Sequence, residues 1–158
     1  MDTESVARLR KVIGRAARQL NPTSTGEGLT PSQASVLAVV ASQGPFGLAE
    51  LTELEGLNPS VLSRIVGKLD DRGLIERRPD PADLRAVRVE ITPAGTAVHE
   101  HIRALRTQVV SQCLDRLPTA TVDSLLEALP ALEALADELR LAARSGTISH
   151  EPPRPLGS

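Results

Sequence analysis

The hydrophobic period changes at Gly73, near the middle of the chain. Before it, Asn58-Pro59 supplies a capping residue followed by proline at the first helical position, and apolar residues then recur at helical spacing as far as Arg72. After it, apolar and polar residues alternate over 74–78 and 87–91, on either side of the turn-rich segment 79–83. Because glycine commonly follows the last turn of a helix, the pattern predicts a helix over 58–72 followed at once by a β-hairpin.

Helices are predicted on both sides of this segment. The clearest helix start is at Thr30, the N-cap, with Pro31 at the first helical position and Gln33 as the partner in a capping box. The other predicted helices are 3–20, 47–55, a long helix from Pro93 through Leu117, and 122–141, in which Pro130 predicts a kink or a break. A short helix, a tight turn, a longer helix and a two-stranded wing make a winged helix-turn-helix. The predicted fold class is therefore mainly α with a small β-hairpin wing, plus a helical dimerisation domain.

Composition excludes several classes of protein. Hydrophobic residues make up 41% of the 158 residues, but Phe46 is the only aromatic one, so the core must consist of Leu, Val, Ile and Ala, which favours helices. The single cysteine, Cys113, excludes an internal disulfide and a cysteine-based zinc site, and its place on an apolar stripe predicts a buried side chain. No apolar run reaches the length of a signal peptide or the roughly 20 residues that cross a bilayer, so we expect a soluble cytoplasmic protein.

The sequence shows no pattern typical of a catalytic or metal site. His99 and His101 are two residues apart on a predicted helix, which places them about 200° apart around its axis, so they cannot share a metal ion. No Ser/His/Asp set, glycine-rich phosphate loop or paired acidic motif stands out. We therefore expect a protein that is not an enzyme and that needs no cofactor or metal.

Charge permits DNA binding without requiring it. The whole chain has a formal net charge of −2, whereas residues 59–90 carry seven bases and six acids, a net charge of +1. A helical wheel of the 58–72 helix separates an apolar side from a polar one. The side that faces the core carries Leu62, Ile65, Val66 and Leu69. The opposite side carries Ser60, Ser63, Arg64, Gly67, Lys68 and Asp71. Such hydroxyls can reach phosphates or base edges, and Arg64 can donate two hydrogen bonds to guanine. Gly67 removes bulk from this outer face; the alternative interpretation is an ordinary solvated helix face.

Two segments carry a resemblance to the MarR family of regulators. The family's recognition helix and first wing strand are resembled by 58–64 with Leu69, Gly73-Leu74-Ile75 and Arg77-Arg78. Residues 83–95 resemble the family's wing signature and the helix start that follows it. The resemblance implies that the 58–72 helix enters the major groove, that Arg85 enters the minor groove and that Asp83 orients it. The implied DNA-binding residues are Pro59, Ser60, Ser63, Arg64, Lys68, Arg77, Asp83 and Arg85. For Asp83 and Arg85 the alternative is an exposed ion pair, and Leu84 departs from the family's pattern, in which a small or basic residue is more usual.

The resemblance also implies an assembly and a mode of regulation. It predicts a helical dimerisation region formed by 1–20 and 93–144 and a DNA-binding lobe over 30–92. Composition predicts a disordered tail over 145–158, which combines glycine, three prolines and polar residues. Leucines recur along 122–141 in a number that one peripheral helix cannot hide, although packing on the preceding helix of the same chain is the alternative. The expected function is a homodimeric, ligand-responsive repressor of a pseudo-palindromic operator. The alternative is a winged-helix protein-interaction module without DNA binding, which the outward Arg64, Lys68 and Arg85 argue against.

Overall fold

The computed structural model describes residues 2–20 and 27–144, and the predicted tail over 145–158 lies outside them. The described elements are α1 (Thr3–Leu20), α2 (Pro31–Gln43), β1 (Phe46–Gly47), α3 (Leu48–Glu55), α4 (Pro59–Asp71), β2 (Ile75–Pro79), β3 (Val87–Ile91), α5 (Pro93–Leu114), α6 (Thr119–Glu127) and α7 (Leu129–Arg144). The chain divides into two compact units, Met1–Ser111 and Gln112–Ser158. The mainly helical fold class with a small antiparallel sheet is confirmed.

The start of α2 forms as its sequence predicts. The Thr30 hydroxyl accepts a hydrogen bond from the Gln33 amide at 3.2 Å, and the Thr30 amide donates to the Gln33 side chain at 3.0 Å. Both members of the capping box are therefore present, with Pro31 at the first helical position. This cap fixes the entry of the chain into a helix that buries Val36, Leu37 and Val40.

The wing is a three-stranded sheet in the order β1-β3-β2, so the prediction of two strands missed one. Phe46 pairs with Val89 and Gly47 with Arg88, and both strand pairs are antiparallel. A two-residue strand is too short to show an alternating pattern, so periodicity does not predict it. Its pairing ties the segment before α3 to the wing.

A single apolar core holds α2, α3, α4 and the sheet together. The buried hydrophobic side chains are Leu29, Ala34, Val36, Leu37, Val40, Leu51, Leu62, Ile65, Val66, Leu69, Leu74, Ile75, Val89 and Ile102. All are aliphatic, as the near-absence of aromatic residues predicts. The four inward positions of α4 are among them, so the predicted orientation of that helix is confirmed.

The predicted 122–141 helix is interrupted at Ala128, two residues before Pro130, which confirms the predicted break. α6 ends at Glu127, and Pro130 is the second residue of α7. The first four amide groups of a helix have no partner within it, so proline is tolerated there, whereas further along it would remove a hydrogen bond and clash with the preceding turn. α5 ends at Leu114, three residues before the predicted end.

Cys113 corrects one expectation, because its side chain is exposed rather than buried. Helical spacing identifies the apolar side of α5 but not what covers it, and Val109 on the same stripe is also exposed. Within the described residues, no helix combines the length and apolar character that crossing a membrane requires.

Candidate nucleic-acid interface

The outer face of α4 presents the polar side chains that its sequence places there. Ser60, Ser63, Arg64 and Lys68 are exposed, on the side opposite the buried apolar positions. Ser60, Arg64 and Lys68 follow one another at four-residue intervals, so they form one row along the helix. A row of a hydroxyl and two cations on an exposed helix is a surface that can follow a nucleic-acid backbone or read a groove.

The N-terminus of α4 is capped by Asn58. Its Oδ1 accepts hydrogen bonds from the Ser60 amide at 2.9 Å and from the Ser60 hydroxyl at 2.6 Å. Pro59 occupies the first helical position, where its missing amide hydrogen costs nothing. The hydroxyl hydrogen of Ser60 is therefore already engaged with Asn58, and this hydroxyl can accept a further bond more readily than donate one.

The tip of the wing is closed by short hydrogen bonds. The Asp80 amide donates to the Ala86 carbonyl and the Ala86 amide to the Asp83 carbonyl, both at 2.9 Å. The Asp83 carboxylate accepts from the backbone amide of Arg85 at 3.0 Å. Asp83 thus holds the backbone of Arg85, and no ion pair joins their two side chains among the described residues. Leu84 lies between them and is 81% exposed.

Some cations of the winged lobe contact a carboxylate or a backbone carbonyl, and others do not. Arg77 Nε lies 3.4 Å from an Asp70 oxygen, and Arg78 contacts Glu76 at 2.6 Å and Glu90 at 3.6 Å. Arg72 and Arg88 donate to the carbonyls of Glu27 and Pro45, at 2.7 and 3.2 Å. In the part of the chain that the structure describes, no carboxylate lies within 4.0 Å of Arg64, Lys68 or Arg85. Their positive charge is therefore not neutralised by a direct partner.

Gly67 lies beneath the side chain of Arg77. A Cβ added at Gly67 would lie 3.2 Å from Arg77 Nη2, the one neighbouring atom of the described residues that it would approach within 4 Å outside its own helix backbone and adjoining residues. Asp70 as the partner of Arg77 was not predicted. Their positions in the sequence could have predicted this pair. Asp70 and Arg77 are equally distant from the Gly73-Leu74 turn, after which the chain folds back along α4. Gly73 makes this turn with a φ of +69°, which glycine adopts without strain.

Comparisons with known proteins agree with this geometry. The model of the MarR family matches residues 29–87. The multiple antibiotic resistance protein MarR of Salmonella typhimurium is 32% identical over 112 residues, which are 71% of this chain and 78% of that protein. The transcriptional repressor NicR of Pseudomonas putida is 33% identical over 97 residues, 61% of each chain. A mutant of Escherichia coli MarR crystallised with operator DNA has a TM-score of 0.59 at 25% identity, covering 81% of this chain and 93% of that one.

Proposed function

Because the chain belongs to the MarR family of transcriptional regulators, we propose that it is a cytoplasmic homodimer that binds a pseudo-palindromic operator and represses transcription until a small-molecule effector releases it. In this proposal α4 enters the major groove and the wing, 74–91, enters the minor groove. The face that meets DNA carries Pro59, Ser60, Ser63, Arg64, Lys68, Arg77, Asp83 and Arg85. The similar MarR that was crystallised with operator DNA supports this mode of action.

The observation that carries the proposal is the position of three cations of the winged lobe that have no carboxylate partner among the described residues. Arg64 and Lys68 lie on the outer face of α4, and Arg85 lies at the closed tip of the wing. The other arginines of the lobe, 72, 77, 78 and 88, are held by carboxylates or carbonyls. Phosphates and groove edges are the partners that unneutralised guanidinium and ammonium groups bind, and a narrow minor groove attracts arginine in particular.

Homodimerisation is supported by apolar side chains that the single chain leaves exposed. α1 buries none of its residues, although Val6, Leu9, Val12 and Ile13 recur along it at helical spacing. In the second unit Leu125, Leu126, Leu129, Leu132 and Leu139 are also exposed. We propose that 1–20 and 93–144 form the dimerisation region and 30–92 the DNA-binding lobe, since exposed apolar stripes on several helices are typical of oligomer interfaces.

The repressor assignment and the effector rest on resemblance. NicR, a repressor by name, is similar over 97 residues of this chain. The resemblance to the family implies a ligand that shifts the spacing of the two recognition helices. With Phe46 as the only aromatic residue, an effector pocket in this chain would have mainly aliphatic walls. Such a site would favour compact apolar effectors over large stacked ring systems.

The proposal is tested by selecting duplexes from a random library with the full chain. Selection should enrich a pseudo-palindrome whose half-sites are one helical turn apart, about 34 Å. In a fluorescence-anisotropy titration the Arg64→Ala/Arg85→Ala variant should bind the selected duplex at least about tenfold more weakly than the parent. Arg78→Ala is the matched control, because its guanidinium is already held by two carboxylates.

Three outcomes would contradict the proposal. If the full chain enriches no duplex, the chain does not read DNA sequence, and the protein-interaction module takes its place. If a duplex is enriched but the double variant binds it like the parent, then DNA is bound by another surface. Equal losses in the double variant and in Arg78→Ala would show that only overall charge matters.

A further inference from the structure

The Gly67–Arg77 contact places a wing side chain on the recognition helix. Arg77 belongs to β2, where it pairs with Val89, and its guanidinium reaches across to α4 at Gly67. A Cβ at position 67 would lie 3.2 Å from Nη2, closer than ordinary van der Waals contact, so a side chain there would make this guanidinium shift by a few tenths of an ångström. Glycine inside a helix is unfavourable by roughly 0.5–1 kcal/mol relative to alanine, so a position that retains it needs a compensating contact.

A second contact fixes the same guanidinium. Arg77 Nε lies 3.4 Å from Asp70 Oδ2, and Asp70 is one helical turn after Gly67 on α4. The Arg77 guanidinium therefore faces α4 at two consecutive turns, over Gly67 at one and beside the Asp70 carboxylate at the other. Arg77 differs in this from Arg64 and Lys68, whose cationic groups have no carboxylate partner among the described residues.

We propose that Arg77 is a positioning residue that sets the placement of the wing relative to the recognition helix, and that Gly67 is glycine to accommodate Arg77 rather than DNA. The proposal rests on the proposed function, because it assigns a role within that DNA-binding face. α4 and the wing must enter two different grooves at once, so a change in their separation would remove the minor-groove contact while the major-groove contact persists. Arg77 thus belongs to the face proposed to meet DNA, but it acts there by positioning Arg85 rather than by a phosphate contact of its own.

A double-mutant cycle between positions 67 and 77 tests this directly. With the duplex selected by the parent as the probe, Gly67→Ala and Arg77→Ala should each weaken binding by about threefold to tenfold. The Gly67→Ala/Arg77→Ala variant should bind like Arg77→Ala alone, because the added methyl group then meets no guanidinium. In thermal unfolding, Gly67→Ala should be more favourable in the Arg77→Ala background than in the parent, since helix propensity improves without crowding.

Two further readouts separate positioning from phosphate contact. A lost phosphate contact would lower the slope of log affinity against log salt by about one, whereas Arg77→Ala should leave that slope close to the parent value. The parent should prefer A·T over G·C base pairs where the wing lies, and both single variants should reduce this preference.

The matched control is the neighbouring arginine of β2. Arg78 is held by Glu76 of its own strand and by Glu90 of β3, and by no carboxylate of α4 among the described residues. The effect of Gly67→Ala should therefore persist in full in an Arg78→Ala background. The proposal is overturned if Gly67→Ala costs as much with Arg77→Ala as without it, which would mean that the glycine makes room for DNA. It is equally overturned if the salt slope falls by one in Arg77→Ala. Failure of the parent to select any duplex would instead count against the proposed function.

Discussion

At the scale of single residues, the ion pairs of the charged side chains indicate DNA-binding positions better than the net charge does. Residues 59–90 have a net charge of only +1 from seven bases and six acids, a weak footprint for a DNA-binding protein. Yet the acids engage particular arginines, Asp70 with Arg77 and both Glu76 and Glu90 with Arg78. The remaining positive charge is therefore concentrated at a few positions, and these positions are where mutations should affect binding.

Arg64 and Arg85 should contribute to operator binding in different ways. Arg64→Ala removes a major-groove donor, so it should cost about 1–3 kcal/mol per subunit and relax preference at one base pair in each half-site. Arg85→Ala removes a minor-groove cation, so its cost should follow the A·T content of the flanks rather than a particular base. Anisotropy titrations against duplexes mutated at single positions measure both effects. Identical base-by-base profiles for the two variants would contradict the assignment of separate grooves.

Ser60 and Asn58 are hydrogen-bonded to each other, and we expect Ser60 to affect operator affinity and Asn58 to affect the free energy of unfolding. Ser60→Ala removes a hydroxyl that already donates to Asn58, so operator affinity should fall less than in Arg64→Ala, because one neutral hydrogen bond is worth about 0.5–1.5 kcal/mol. Asn58→Ala removes the helix cap and should lower the free energy of unfolding by about 0.5–2 kcal/mol. Urea denaturation and anisotropy on both variants check this. A larger loss of stability for Ser60→Ala than for Asn58→Ala would refute the capping role.

At the scale of elements, the sequence predicted what local patterns determine. The bounds of α1, the capping box of α2 and the break at Pro130 depend on neighbours along the chain, and all three are present in the structure. Strand β1 was missed because its two residues acquire strand geometry only by pairing with β3. Cys113 was placed wrongly because periodicity does not show what covers a face. The contact between Gly67 and Arg77 was missed for a similar reason, as it joins two elements across a turn.

The start of α5 is joined to the wing at a contact that only glycine allows. A Cβ at Gly95 would overlap the Leu74 carbonyl oxygen and lie 2.9 Å from Ile91 Cγ1. The Thr92 hydroxyl reinforces the junction by donating to the Gly73 carbonyl at 2.6 Å and accepting from the Gly95 amide at 3.0 Å. The backbone at Leu74, just before β2, and the backbone of α5 would have to separate to admit a side chain.

Gly95→Ala should therefore lower the free energy of unfolding by about 1–3 kcal/mol, as overpacking does. Gly14→Ala is the matched control, because a Cβ there would meet only the flexible end of Arg18, at 3.4 Å, and should raise helix stability by roughly 0.5–1 kcal/mol. Urea denaturation at one fixed protein concentration compares the two variants with the parent. A Gly95→Ala variant as stable as the parent would show that this junction is loosely packed.

At the scale of the whole molecule, the exposed apolar side chains concern assembly rather than folding. Val12 is 47% exposed and Leu139 is 49% exposed, yet both belong to apolar stripes on long helices. Leu84 is more exposed than either but stands alone between two charged residues at the wing tip. Scattered apolar residues are ordinary on protein surfaces, whereas contiguous stripes on several helices need a cover.

Lysine substitutions at Val12, Leu139 and Leu84 should distinguish apolar side chains that lie in a dimer interface from one that is exposed to solvent. In a single chain each would be a surface change, worth within about ±0.5 kcal/mol. In the proposed dimer Val12→Lys and Leu139→Lys would bury an unpaired ammonium group against the partner, whereas Leu84→Lys would stay in solvent. Light scattering on a size-exclusion column should therefore give a dimer mass for the parent and Leu84→Lys and a monomer mass for the other two. Truncation after Leu117 should likewise yield a monomer or an aggregate. If both stripe variants and the truncated chain remain soluble dimers, the interface lies elsewhere on the molecule.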